Sequence, residues 1–132
     1  MSWGIYLQRH VISIVIVLTS LFASPQHRSI GWIEQTESWV YMYDMNGNRY
    51  QTLPSSSVGV VLGYSSSFFV SRKDSWVYLY DSKGDRYKTL PYSQVGDVVG
   101  VGSEGFTSRN GSWVYIWSRY GNRIDIKPYR RD

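Results

Sequence analysis

From about residue 30 onward, apolar and polar residues alternate in short runs broken by Gly, Asn, Asp and Ser. That period belongs to strands and tight turns. The clearest stretch predicts strands at Asp97–Val101, Phe106–Arg109, Trp113–Trp117 and Arg123–Ile126, with a hairpin turn at Asn110-Gly111. Glycine readily adopts positive φ there, and asparagine tolerates it. The same scheme runs through Val60–Gly63, Phe69–Arg72, Trp76–Tyr80 and Arg86–Leu90. No segment after the N-terminus has a helical period. In Trp76-Val77-Tyr78-Leu79-Tyr80 one face carries Trp and Tyr and the other Val and Leu. With both faces apolar or aromatic, this strand is expected to be covered on both sides.

The alternation repeats with a period of 37 residues. Trp39, Trp76 and Trp113 keep that spacing, as do Gly47, Gly84 and Gly121, then Arg49, Arg86 and Arg123, then Pro54, Pro91 and Pro128. Residues 38–74 and 75–111 agree at 21 of 37 positions. Trp32 falls on the position of Phe69 and Phe106, so the pattern begins before Trp39. Three units follow, at about 22–58, 59–95 and 96–132. The expected fold is therefore all-β: three four-stranded antiparallel repeats within one domain, residues 25–132.

The run Ser75-Trp76-Val77-Tyr78-Leu79-Tyr80-Asp81-Ser82-Lys83-Gly84-Asp85-Arg86 resembles the outer hairpin of β-propeller blades of the quinoprotein type. Val98-Val99-Gly100 and Gly105-Phe106 fit the inner strands of such blades. The third copy has Ser118 where Asp44 and Asp81 stand, and the tryptophan that closes quinoprotein repeats is absent after Leu53 and Leu90. The resemblance therefore implies blades but no cofactor. The hairpin is also locally similar to choline-binding and YD-type cell-surface repeats, through Gly31-Trp32 ahead of Trp39-Val40-Tyr41. Propellers use at least four blades. Three repeats thus imply either a homo-oligomer, two copies making a six-bladed ring, or a β-trefoil, which also has three four-stranded units.

Residues 11–23, VISIVIVLTSLFA, form an apolar run too short for an ordinary membrane span. Together with Arg9 and the Leu21-Phe22-Ala23 end, the run reads as a signal peptide or N-terminal anchor over residues 1–24. A buried strand is the alternative for its β-branched residues. The signal reading places the protein outside the cell or in the periplasm, with membrane contact only through an uncleaved N-terminus.

Composition narrows the chemistry. The chain of 132 residues has no Cys and two His, at positions 10 and 27, on either side of the expected processing point. This removes disulfides, thiolate nucleophiles and Cys-based zinc sites. A Ser–His–Asp set would rest on His27 alone. Glu34, Glu37 and Glu104 are unrepeated, so no glycosidase pair stands out. The glycines at 96, 100, 102 and 105 lie in a meander with no following helix, so no phosphate loop is expected. Asp44-Met45-Asn46-Gly47-Asn48 has some likeness to a calcium loop, but the next copy puts Lys83 at a ligand position, which favours a plain turn and no metal. The net charge of +4 is modest, and the basic residues near the C-terminus do not outweigh it, so nucleic acid is disfavoured as a partner.

Aromatics make up 17% of the chain, with 12 Tyr and 6 Trp. The repeated Trp39, Trp76 and Trp113 suit stacking on sugar rings, although tryptophan in alternating strands more often serves packing. Arg49, Arg86 and Arg123 open the fourth strands and suit bidentate binding of carboxylate or phosphate. Pairing with a nearby Asp, or a solvated sheet edge, is the ordinary alternative. Arg72 and Arg109, beside turns, are further ligand candidates. The expected function is a non-catalytic binding module for glycans or cell surfaces. The alternative is a structural or protein-interaction module that completes its sheet with a partner.

Overall fold

The computed structural model describes residues 28–130. Strands β1 (Trp32–Gln35), β2 (Trp39–Tyr43) and β3 (Arg49–Pro54) form the first sheet. A helical turn, α1 (Ser55–Val58), leads to the second sheet: β4 (Val60–Tyr64), β5 (Phe68–Lys73), β6 (Trp76–Asp81) and β7 (Arg86–Pro91). A second turn, α2 (Tyr92–Val95), leads to β8 (Asp97–Val101), β9 (Gly105–Asn110), β10 (Trp113–Ser118) and β11 (Arg123–Pro128). Every pairing is antiparallel between chain neighbours, and no strand pairs outside its own sheet. Separate meanders packed face to face are propeller-like blades, not the shared barrel of a trefoil.

Three differences from expectation emerge. The first sheet has three strands among the described residues, not four. The position equivalent to β4 is residues 23–27, outside the described residues, as is the segment read as a signal peptide. The hairpin loop is Gly111-Ser112, because Asn110 is still paired with Trp113. Its equivalent starts at Asp74, which takes φ 54°. Finally, α1 and α2 are helical turns, each too short to show a period. Pro54 and Pro91 precede them in extended conformation. Gly59 and Gly96 end them, each donating its N–H to the first helical carbonyl. At Gly59 (φ +83°), a Cβ would lie 2.2 Å from the Arg72 carbonyl oxygen, so only glycine fits.

Two apolar layers hold the three sheets together. One joins Val40, Met42 and Ile33 of the first sheet to Phe69 and Tyr80 of the second. The other joins Phe68, Val70, Val77 and Leu79 of the second to Phe106 and Trp117 of the third. Strand β6 is thus covered on both sides, as its two apolar faces require. Fully burying side chains of this size stabilises by about 1.5–3 kcal/mol each. Each layer repeats one rule: the Val/Leu face of a sheet packs on the aromatic face of the next. Phe69 lies parallel to Tyr80 at 4.7 Å, and Phe106 to Trp117 at 5.7 Å. The buried Trp117 indole N–H donates to Ser108 Oγ at 2.9 Å. The equivalent Ser71 has no indole beside it and donates to the Val58 carbonyl at 2.7 Å.

Candidate functional site

The aromatic face of every sheet carries the same group of three side chains. In each case the arginine that opens the outer strand lies over the ring of the WVY tyrosine. Arg49 stands 4.8 Å from the Tyr41 centroid, Arg86 4.4 Å from Tyr78 and Arg123 4.9 Å from Tyr115. This explains the repeated arginine. It neither pairs with an aspartate nor points away as a bare edge charge, but rests on the electron-rich ring of the neighbouring strand. None of the three makes an ion pair among the described residues.

Trp39, Trp76 and Trp113 lie on the same face, two residues before these tyrosines. They are not core residues: 44%, 46% and 46% of their surface remains exposed. Each pairs across the hairpin with a proline, Pro54, Pro91 or Pro128, at the last position of the outer strand. The sheet ends there, so little covers the outer half of each indole. Trp113 also stands opposite Asn110.

At the α2 turn, against the third sheet, a cleft of about 480 Å³ is lined by Ser93, Gln94, Asn110, Tyr115, Trp117 and Arg123. The Asn110 side-chain amide donates to the Ser93 carbonyl at 2.9 Å and fixes the α2 side of the cleft. The cleft thus combines an aromatic wall, one guanidinium and several neutral hydrogen-bonding groups. Of the residues singled out in the sequence as ligand candidates, it contains Arg123, while Trp113 lies two residues before the lining Tyr115 and is not part of the lining.

Arg72 and Arg109 occupy a second repeated position, at the end of β5 and β9. Arg72 lies 3.4 Å from the Tyr92 centroid and Arg109 3.6 Å from that of Tyr129. Their Nε groups donate to the carbonyls of Asp74 and Gly111. Tyr92 donates its hydroxyl to Asp97, and that bond raises the phenol pKa. These arginines brace the hairpin ends. In the first sheet, Gln35 takes their place and holds the start of β4 directly, donating to the Gly59 carbonyl and accepting from the Val61 N–H. The partners Tyr41, Tyr78, Tyr115, Tyr92 and Tyr129 were not singled out in the sequence, although several share the 37-residue spacing. A regular hairpin register would have put tyrosine and arginine on opposite faces; the β-bulge between Met42 and Tyr43, repeated at Leu79/Tyr80 and Ile116/Trp117, turns each arginine onto the tyrosine face.

The Asp44 loop is a turn. Asp44 Oδ1 accepts the N–H groups of Asn46 and Asn48 at 2.9 and 3.0 Å, and Asp81 Oδ1 accepts those of Lys83 and Asp85 at the same distances. In the third copy Ser118 Oγ accepts from Tyr120 and Asn122 at 3.3 and 3.2 Å. The aspartate-to-serine change therefore preserves the role.

No protein-family model matches the chain, and no curated protein matches it. Among solved structures it is similar to Hsv2 of Kluyveromyces marxianus, at a TM-score of 0.50 and 13% identity over 78% of this chain and 40% of that one. A variant of the Kluyveromyces lactis protein, KlHsv2 with loop 6CD replaced by a Gly-Ser linker, gives 0.50 and 18% identity over 74% and 35%. The chain therefore spans 35–40% of the length of these structures. Hsv2 is a yeast β-propeller. At such identities the likeness concerns the fold, and with the separate antiparallel meanders it establishes a propeller-like, all-β architecture for this chain.

Proposed function

We propose that the chain is a non-catalytic binding module that takes glycans carrying an acidic group, through its repeated Trp–Tyr–Arg groups. The observation behind this reading is the nearly equal exposure of Trp39, Trp76 and Trp113, each held on the same face as a tyrosine-backed arginine. A half-exposed indole offers a flat apolar face to a sugar ring. The neighbouring guanidinium, free of ion pairs among the described residues, offers N–H groups to a carboxylate or sulfate. The cleft beside Arg123 has room for one sugar residue between Tyr115 and Gln94. Three equivalent groups would join weak contacts into useful avidity. The apolar run at residues 11–23, read as a signal peptide, makes this a secreted or periplasmic protein, and exported protein should then begin near Ser24.

Screening the folded chain on a glycan array, followed by tryptophan fluorescence titration with the best hit, tests the reading. Trp113→Ala and Arg123→Ala should each weaken binding about tenfold, a change of about 1.4 kcal/mol. An array with no hits, or variants that bind as the parent does, would overturn it.

A second reading, an interaction module that completes its sheets with a partner, is supported by the first sheet. Its aromatic face has no sheet before it among the described residues, and Trp32 is 47% exposed.

A further inference from the structure

The two joints between sheets are built alike, and both depend on positions with counterparts at the open ends of the stack. In the first joint, Tyr50 donates its hydroxyl to the Ser82 carbonyl at 2.6 Å, and Gln51 donates to the Lys83 carbonyl at 3.0 Å. In the second, Tyr87 donates to the Arg119 carbonyl. Tyr50 and Tyr87 are equivalent in the repeat, as are Ser82 and Arg119. The turns are packed as tightly: a Cβ at Gly84 would lie 3.0 Å from Gln51 and 3.3 Å from Leu53 and Met42.

Among the described residues, the matching positions at the two ends of the stack are uncovered. Ile124 replaces the clasping tyrosine and is 65% exposed, while Met45 stands at the accepting turn and is 70% exposed. A Cβ at Gly47 would meet nothing within 4 Å. The stacked pair Trp32 and Tyr43, at 4.6 Å, matches Phe69–Tyr80 and Phe106–Trp117. Phe69 and Phe106 are 0% and 2% exposed under the preceding sheet, whereas Trp32 is open. The other end of the stack offers Val114 and Ile116, equivalents of the fully buried Val77 and Leu79. Each open face also carries charge where the inner joints do not. Glu34 replaces Ser71 and Ser108 on one, and Lys127, 3.9 Å from Asp125, replaces Leu53 and Leu90 on the other.

We propose that the Val/Ile face of the third sheet docks on the aromatic face of the first sheet of a second copy, continuing between molecules the joint made twice within each. In this joint Ile124 meets Met45, so an apolar contact takes the place of the tyrosine hydrogen bond. The contact is head-to-tail, and two of them close a six-bladed ring. It does not depend on the ligand reading.

The chain has no cysteine, so cross-linking tests the joint without background. Full-length Met45→Cys and Ile124→Cys proteins are prepared separately, then oxidised alone and mixed. A disulfide between position 45 of one copy and position 124 of the other is expected on mixing, with little linkage in either protein alone. Linkage chiefly between identical positions, or none in the mixture, would overturn the proposal. In parallel, Ile124→Asp should halve the mass in solution without changing the far-UV circular dichroism. An unchanged mass would also overturn it.

Discussion

At the scale of single residues, backbone hydrogen bonds and ring faces decide what the repeat keeps. Ser118 shows the first. Its hydroxyl serves the two turn amides that Asp44 and Asp81 serve elsewhere. Ser118→Ala should cost about 1 kcal/mol in urea unfolding, and Ser118→Asp close to nothing. The clasping tyrosines predict a pH dependence. Burial is the main cause that raises the phenols of Tyr50 and Tyr87 from 10.0 to about 12. Below pH 10 both folded and unfolded chains hold these protons. Between pH 10 and 12 the unfolded chain releases them first, so stability falls as pH rises. Tyr50→Phe should flatten that fall, read from urea midpoints across the range. A slope unchanged in the variant would show that Tyr50 does not cause it. The repeated Trp and Arg were legible as spacing, but their environments were not. Trp at an alternating position reads as core, and only the register of β2 with β3, β6 with β7 and β10 with β11 reveals that each faces a terminal proline. The arginine's true neighbour, a tyrosine on the adjacent strand, also depends on register, which composition and spacing do not carry.

At the scale of elements, strands were legible almost to the residue in the second and third copies. Their alternation is strong, and Gly, Asn and Asp punctuate them. The turns α1 and α2 were hidden because four residues cannot display a helical period. Their only local signal is a proline before and a glycine after. That signal makes a prediction. Gly59→Ala combines a positive φ with a Cβ pressed to 2.2 Å from the Arg72 carbonyl oxygen. It should cost about 3 kcal/mol, enough to lower the urea midpoint clearly. A near-neutral result would mean that α1 does not end as described. Serine 108 is the other element-level test. Ser108→Ala removes the acceptor of the buried Trp117 indole and should cost about 1–3 kcal/mol. The equivalent Ser71→Ala leaves only a carbonyl unserved.

At the scale of the molecule, the period of 37 residues foretold repeated antiparallel sheets, and the two apolar layers show how they stack. The number of strands in the first sheet could not be read from the period, since its first copy is the most divergent. The ends of the stack were likewise illegible. Whether Trp32, Met45 and Ile124 are exposed depends on which sheet precedes or follows, a property of the assembly. In the proposed ring these two ends form the joint between copies. The most direct measurement is the absolute mass of the full chain in solution by light scattering. A ring closed by two copies has twice the 15.3 kDa of one chain. A stable species of 15.3 kDa at micromolar concentration would contradict it.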